Sequence, residues 1–326
     1  MSGLLRRKAT AAGAVLRSDV DLATTVGSVT LPNPVMTASG TSGHGAELAD
    51  YFDLSALGAV VVKSLAAFAW DGNPPPRLVP TRAGLLNAVG LQGPGVASWL
   101  RDDLPRLVDA GARVVASIWG RSVEEFRAAA ELLAAAPSDV VAVEVNLSCP
   151  NLDDRRQIFA HSESATREVV EATAGCGRPR WAKLSPNVGD LVAIAASALG
   201  AGAEAVTLVN TVLGMAIDPA TGRPLLGNGG GGLSGPGIHP VAVRAVHDVR
   251  AALPSAAIVG VGGVTCGDDA AELLLAGASA VQVGTVTFAE PRAPLRVSRE
   301  LRRWAEERGI GTIAEVIGAT HHGGLP

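Results

Sequence analysis

The sequence predicts an α/β protein folded as a (β/α)8 TIM barrel, a single domain with long active-site loops, and two observations lead to this prediction. Short apolar runs alternate with longer amphipathic stretches, which is typical of parallel strands joined by helices. The runs are almost continuously apolar, as expected for strands buried on both faces. Eight such units favour a closed barrel over an open doubly wound sheet.

The individual elements follow from these runs. The eight predicted strands are residues 34–38, 59–63, 113–118, 140–146, 181–184, 205–210, 257–261 and 280–283. The predicted helices include residues 123–136, with Ser122 as N-cap, and residues 162–174, 188–199, 240–253, 268–276 and 292–308. Residues 65–94 and 212–237 are too long for simple turns, and we expect structureless functional loops there.

Composition limits the class of protein. The chain has 326 residues, of which 48% are hydrophobic and 3% aromatic, enough for one barrel with an aliphatic core. A net charge of −4 gives no basic surface for nucleic acid. No apolar run reaches the roughly 18 residues that cross a bilayer. We expect residues 1–20 to be a flexible tail and residues 21–326 to form the barrel domain.

The cysteines bear on location and on metal chemistry. Cys149, Cys176 and Cys266 make no even disulfide set and share no metal-ligand spacing. A reducing, cytoplasmic environment fits this pattern best. Three thiols on this chain are too few to supply the four that an iron–sulfur cluster takes.

Polar residues follow most of the predicted strands, at the barrel end where TIM-barrel enzymes place their active sites. In strand order these ends carry Ser39-Gly40, Lys63-Ser64, Trp119-Gly120, Asn146-Leu-Ser-Cys149, Lys183-Leu-Ser185, Asn210-Thr211, Gly262-Gly263 and Gly284-Thr285. A lysine at the end of a buried apolar strand is unfavourable unless it has a partner. The pattern therefore predicts a binding site at this mouth.

The glycine pairs and the lysines suggest what binds there. Gly262-Gly263 and Gly284-Thr285 close strands seven and eight, where barrels often hold phosphate on backbone N–H groups. Tight turn geometry alone is the alternative for either pair, and the phosphate can belong to a substrate or to a cofactor such as FMN. Lys63 and Lys183 are suited to stabilising negative charge on a reduced flavin, although most lysines are solvated surface charges.

Cys149 is a candidate general base. It lies between two amides, in Asn146-Leu-Ser-Cys-Pro-Asn151, and a thiol of reference pKa about 8.5 can act as a base near neutrality. A lone cysteine is more often a small buried hydrophobe, so the spacing leaves both interpretations open. For Cys176 and Cys266 we expect only a structural role.

Several segments together resemble the class 1 dihydroorotate dehydrogenases, over roughly residues 22–305. They are Asn33-Pro-Val-Met-Thr-Ala-Ser-Gly-Thr, Gly72-Asn-Pro-Pro-Pro-Arg, Leu86-Asn-Ala-Val-Gly-Leu-Gln, Val145-Asn-Leu-Ser-Cys-Pro-Asn, Ala182-Lys-Leu-Ser-Pro-Asn, Asn210-Thr, Gly214-Met-Ala-Ile-Asp, Gly232-Leu-Ser-Gly-Pro and Gly260-Val-Gly-Gly-Val. The Gly214 segment resembles the heteromeric subclass 1B. The resemblance implies an FMN-dependent enzyme that oxidises (S)-dihydroorotate to orotate in pyrimidine (UMP) biosynthesis.

The resemblance also implies residue roles. Cys149 would take the proton from carbon 5 while carbon 6 gives a hydride to flavin N5, and Lys63 would lie beside both ligands. The implied substrate contacts are Lys63, Asn87, Val89, Gly90, Leu91, Asn146, Asn151, Asn210 and Thr211. The implied FMN contacts are Ser39, Gly40, Lys63, Ser64, Asn146, Lys183, Gly237, Gly262, Gly263, Gly284 and Thr285.

The resemblance implies partners as well, and the chain departs from the family pattern at three places. In subclass 1B a second subunit with FAD and a [2Fe–2S] cluster passes electrons to NAD, so we expect a homodimer or a heterotetramer. The departures are residues 152–157, residues 66–71 and Gly93. They leave open a related FMN oxidoreductase acting on another pyrimidine or a secondary metabolite. A non-redox barrel lyase or isomerase, or a flavin-binding assembly partner without activity, are further alternatives.

Overall fold

The computed structural model of the protein describes residues 20–148 and 159–325. Its strands are β1 (Thr24–Val26), β2 (Val29–Leu31), β3 (Val35–Thr37), β4 (Val60–Val61), β5 (Leu78–Thr81), β6 (Gly84–Asn87), β7 (Val114–Ile118), β8 (Val140–Asn146), β9 (Arg180–Lys183), β10 (Ala205–Leu208), β11 (Val212–Gly214), β12 (Gly231–Ser234), β13 (Ala257–Val261) and β14 (Ala280–Val283). Its α-helices are α1 (Val96–Asp102), α2 (Leu104–Asp109), α3 (Val123–Leu133), α4 (Glu163–Ala172), α5 (Leu191–Gly200), α6 (His239–Ala252), α7 (Gly267–Ala276) and α8 (Ala293–Glu307).

Eight parallel strands form the barrel. Their order is β3-β14-β13-β10-β9-β8-β7-β4, and a parallel bridge between Met36 and Ala59 joins the two outer strands and closes the sheet. These strands correspond to the eight predicted apolar runs, and the predicted TIM barrel is confirmed. Their continuous apolar sequence is explained by burial on both faces, against the barrel interior and against the helices outside.

The six predicted helices are present, with ends that differ by up to three residues. Ser122 caps α3 as predicted, because its hydroxyl accepts a hydrogen bond from the Glu125 N–H at 3.3 Å. Helix α3 ends at Leu133, three residues before the predicted end. Buried residues of these six helices pack in the same apolar cluster as those of the barrel strands.

An N-terminal hairpin closes the bottom of the barrel. Strands β1 and β2 pair antiparallel, and Val26, Val29 and Leu31 pack in one buried cluster with interior residues of the barrel that include Trp181. No sequence argument predicted this hairpin. Because apolar side chains of the described residues fill that end, the entrance for a ligand lies at the opposite end, at the carboxyl ends of the strands.

The expectation that residues 65–94 and 212–237 are structureless is wrong. They supply strands β5, β6, β11 and β12, which form one antiparallel sheet in the order β11-β12-β6-β5. Each of the two segments pairs with the other across the chain, for example Asn87 with Gly232. The pairing partner is 145 residues away, so nothing local in either segment reveals it.

Helices α1 and α2 were not predicted, and with 7 and 6 residues they are too short for apolar periodicity to identify. Within residues 20–148 and 159–325, no helix is both long and apolar enough to cross a membrane. The division into a tail of residues 1–20 and one domain stays a prediction, since residues 1–19 lie outside the described part.

Candidate active site

A cavity of about 370 Å³ opens at the carboxyl ends of the barrel strands, within the range typical of small-molecule sites. The barrel strand ends form its floor, and the antiparallel sheet forms one wall through Leu85, Asn87 and Gly232. The two long connections therefore build the site together with the barrel.

Most of the predicted site residues line this cavity. They are Ser39, Gly40, Lys63, Ser64, Asn87, Val89, Gly90, Leu91, Asn146, Lys183, Asn210, Thr211, Gly262, Gly263, Gly284 and Thr285. Gly237 does not line it, and its N–H donates to the Ala83 carbonyl at 2.8 Å instead. Cys149 and Asn151 lie outside the described residues, so the predicted base and one predicted amide contact stay predictions.

The amides form one connected chain of hydrogen bonds. Asn210 donates from Nδ2 to Asn146 Oδ1 at 3.1 Å, and Asn146 donates from Nδ2 to Ser64 Oγ at 3.3 Å. Ser64 Oγ is 2.9 Å from Ser117 Oγ, and the Thr211 N–H donates to Asn210 Oδ1 at 2.8 Å. Since each amide is oriented by its neighbour, the site presents a fixed pattern of donors and acceptors to a planar polar ligand.

The ammonium group of Lys183 contacts two buried polar side chains, Glu144 and Gln282, that were not predicted as site residues. Its ammonium is 3.1 Å from Ser39 Oγ, 3.5 Å from Glu144 Oε1 and 3.4 Å from Gln282 Oε1. Glu144 and Gln282 are fully buried, and Gln282 Nε2 donates to Glu144 Oε2 at 2.7 Å. These are the partners that a buried lysine needs. A lone Glu in the apolar run of β8 and a lone Gln in that of β14 were the available signals.

Lys63 is the second lysine that lines the cavity. Its side chain is half-buried, and Nζ packs beside Gly40. Lys63 also lines a second, more open groove together with His44 and Trp70. Burial and the positive charge of Lys63 lower the pKa of His44.

The two glycines after β13 are required by packing in this structure. A Cβ on Gly263, where φ is +70°, would lie 2.7 Å from His239 Cβ and 2.9 Å from the Gly235 carbonyl oxygen. A Cβ on Gly262 would lie 2.7 Å from Ala242 Cβ. Both glycines also line the cavity. The tight turn and the lack of a side chain beside the cavity are therefore found at the same two positions.

The two described cysteines are structural. Cys176 is fully buried in the core, and burial raises the pKa of its thiol. Cys266 is the N-cap of α7, and burial also raises its pKa. Neither lines the cavity.

Comparison with known proteins points to one family. Residues 21–304 match the sequence model of the family described as dihydroorotate dehydrogenase. The chain is 47% identical over 306 residues, 94% of its length and 99% of the relative's, to the protein named dihydroorotate dehydrogenase B (NAD(+)), catalytic subunit, of Desulforudis audaxviator. It is 44% identical over 303 residues, 92% of its length and 98% of the relative's, to the protein of that name in Geotalea uraniireducens.

Proposed function

The chain belongs to the dihydroorotate dehydrogenase family, and we propose that it is the catalytic subunit of a class 1B enzyme that oxidises (S)-dihydroorotate to orotate in pyrimidine biosynthesis. The observation that carries the proposal is the hydrogen-bonded chain of Ser64, Asn146 and Asn210 at the floor of the cavity. Orotate is planar and dense in donors and acceptors. A site of oriented amides suits it, because unpaired buried polar groups are costly.

The cofactor in this proposal is FMN, and the described residues fit it. The phosphate would be bound by the backbone N–H groups of Gly262, Gly263, Gly284 and Thr285. A short helix begins at Thr285, beside these groups. The buried hydroxyl of Ser148 lines the cavity without a hydrogen-bond partner among the described residues, as expected where a polar ligand binds. The other proposed contacts to FMN are Ser39, Gly40, Lys63, Ser64, Asn146 and Lys183. FMN held there would supply the acceptor for the hydride from carbon 6 of the substrate.

The residues of this chain have the following proposed roles. Cys149, as its thiolate, takes the proton from carbon 5 of dihydroorotate. Lys63 holds a positive charge beside the substrate, and Asn87 and the backbone of residues 89–91 hold the pyrimidine ring. The remaining polar groups of the substrate are oriented by Asn146, Asn151, Asn210 and Thr211. Lys183 holds positive charge at the cavity floor, where Glu144 and Gln282 fix its ammonium.

A partner subunit is part of the proposal. The relatives are named catalytic subunits of NAD(+) enzymes, which implies a further subunit in those proteins. We propose an FAD and [2Fe–2S] subunit that takes electrons onward to NAD, in a heterotetramer. The pattern of cysteines supports a cytoplasmic location for the assembly.

The test is anaerobic mixing of the FMN-loaded protein with dihydroorotate while the visible flavin band is followed. We expect the wild-type protein to bleach rapidly. Cys149→Ala should bleach about 10²–10⁴-fold more slowly, because the general base is lost. Cys176→Ala is the matched control and should bleach at the wild-type rate, because the Cys176 thiol is buried in the core and does not line the cavity. A yellow protein that does not bleach would contradict the substrate assignment. It would favour the second candidate, an FMN oxidoreductase for another pyrimidine, which the unusual segment 66–71 supports, since its residues 69–71 line the adjoining groove.

A further inference from the structure

Residues 89–93 form a thin wall between two open spaces. Val89, Gly90 and Leu91 line the cavity, while Val89, Gln92 and Gly93 line the second groove, of about 510 Å³. Leu91 packs against a small apolar cluster of Ala66 and Trp119, whereas the Val89 and Gly90 carbonyls are held by hydrogen bonds. The backbone of this wall is also strained, since φ is +64° at Leu91, a residue with a side chain.

Trp70 holds the middle of this wall. Its indole Nε1 donates to the Gly90 carbonyl oxygen at 2.9 Å. Its backbone forms an antiparallel bridge with Gly93, with N–H to carbonyl distances of 2.9 Å in both directions. Asn73 holds the near end, because its N–H donates to the Val89 carbonyl at 3.0 Å and its Nδ2 to the Ala88 carbonyl at 3.1 Å. The Gly90 carbonyl therefore depends on the indole.

Arg121 fixes Trp70 in turn. Its guanidinium carbon lies 4.9 Å from the centre of the Trp70 ring and 4.7 Å from that of Phe68. Glu125 orients the guanidinium, with Nη2 to Oε1 at 2.8 Å, and it also accepts a hydrogen bond from the Arg121 N–H at 2.7 Å. Since Arg121 follows β7, the contact ties the wall to the rigid barrel.

We propose that Trp70, held by Arg121, is a positioning residue that keeps the backbone of Val89 to Leu91 in place against the pyrimidine ring. This inference rests on the proposed function. Trp70 does not line the cavity, so it acts on the ligand through the wall. Loosening the wall leaves the reacting groups intact and weakens binding, because the donors and acceptors of residues 89–91 are no longer held in one geometry.

The test uses Trp70→Phe, which removes the indole N–H and keeps an aromatic ring over Arg121. Trp304→Phe is the matched control, because Trp304 also stacks on an arginine, Arg308 at 4.6 Å, but does not line the cavity. Three quantities are measured on FMN-loaded protein: amide hydrogen exchange of residues 88–93, the Kd for orotate by calorimetry, and KM and kcat for dihydroorotate.

We expect faster exchange at residues 88–93 and a rise in Kd and KM of about three- to tenfold in Trp70→Phe, the range of one hydrogen bond, with kcat within about twofold. Arg121→Gln should change the same quantities in the same direction, and Trp304→Phe none of them. Unchanged exchange or an unchanged Kd in Trp70→Phe overturns the inference. A wild-type protein that does not bind orotate overturns the proposed function instead, so the two failures are distinguishable.

Discussion

Glu144 is the residue on which the floor of the site depends. It is fully buried in β8, with Lys183 at 3.5 Å on one oxygen and Gln282 at 2.7 Å on the other. A buried carboxylate and a buried ammonium each lose hydration on folding, and only their mutual contact and their hydrogen bonds offset that loss. Glu144 therefore serves stability and the placement of the Lys183 charge at once.

We expect Glu144→Ala to lower the free energy of unfolding by about 3–5 kcal/mol, because it leaves the Lys183 ammonium buried without a carboxylate. Urea denaturation of the apoprotein measures this. Combining it with Lys183→Met should recover part of the loss, since no unpaired charge then remains. Asp102→Ala is the control, because the Arg101–Asp102 pair is exposed and should contribute nothing measurable. Equal losses in Glu144→Ala and Asp102→Ala would contradict this account.

At the scale of elements, the start of α7 supports the glycine turn that precedes it. Asp269 accepts hydrogen bonds at one oxygen from the Thr265 N–H at 2.7 Å, the Thr265 hydroxyl at 2.6 Å and the Cys266 N–H at 3.1 Å. This is a capping box that also fixes the chain just after Gly262 and Gly263. The hydrogen bonds at the start of α7 therefore help to hold the proposed phosphate site in one conformation.

The charge of Asp269 should give this cap a pH dependence. Burial alone would raise the pKa of Asp269, but the hydrogen bonds from Thr265 and Cys266 and the nearby His239 hold the pKa below its ordinary value of 3.8. A group with a lowered folded pKa stabilises the fold above its unfolded pKa, and the stabilisation is lost as the pH falls through the folded pKa. Asp269→Asn keeps an acceptor and removes the charge.

We expect Asp269→Asn to be less stable than the wild type by about 1 kcal/mol at pH 7. The difference should persist down to about pH 5 and shrink below about pH 4. Urea denaturation of both proteins at pH 7, 5 and 3.5 measures it. Asp268→Asn, one residue earlier and exposed, is the control. A difference that grows as the pH falls would show that the sign is wrong.

At the scale of the whole molecule, the site is assembled from segments far apart in the chain. The cavity takes residues from Ala38 near the first barrel strand to Phe288 after the last one, and from both connections that form the antiparallel sheet. A ligand in this cavity touches all of these segments at once. Binding should therefore stabilise the entire fold rather than one element.

We expect FMN at about 100 times its Kd to raise the free energy of unfolding of the apoprotein by about 2.7 kcal/mol. Riboflavin, which lacks the phosphate, should stabilise much less at the same concentration, because the N–H groups after β13 and β14 then have no anion to bind. Thermal unfolding with each ligand measures the difference. Equal increases in Tm with FMN and riboflavin would contradict a phosphate site at Gly263 and Thr285.

The architecture and the residues at the mouth of the barrel could be predicted from the amino-acid sequence. The barrel strands and six helices were predictable because burial on both faces and the period of a helix leave a local pattern. Lys63, Asn146, Lys183 and Asn210 were predictable as neighbours, since parallel strands in a barrel end on the same side.

The groups around and beneath these residues could not be predicted, because they depend on long-range contacts. The antiparallel sheet depends on pairing between residues 145 apart, as in Asn87 and Gly232, and local sequence carries no signal for such a pair. Glu144 and Gln282 acquire their role only from contact with Lys183, and Trp70 only from its bond to the Gly90 carbonyl. The physical reason is the same in each case. The hydrophobic pattern of a segment shows which of its faces is buried. The hydrogen-bond partners of a side chain depend on which distant groups lie close to it in the folded protein.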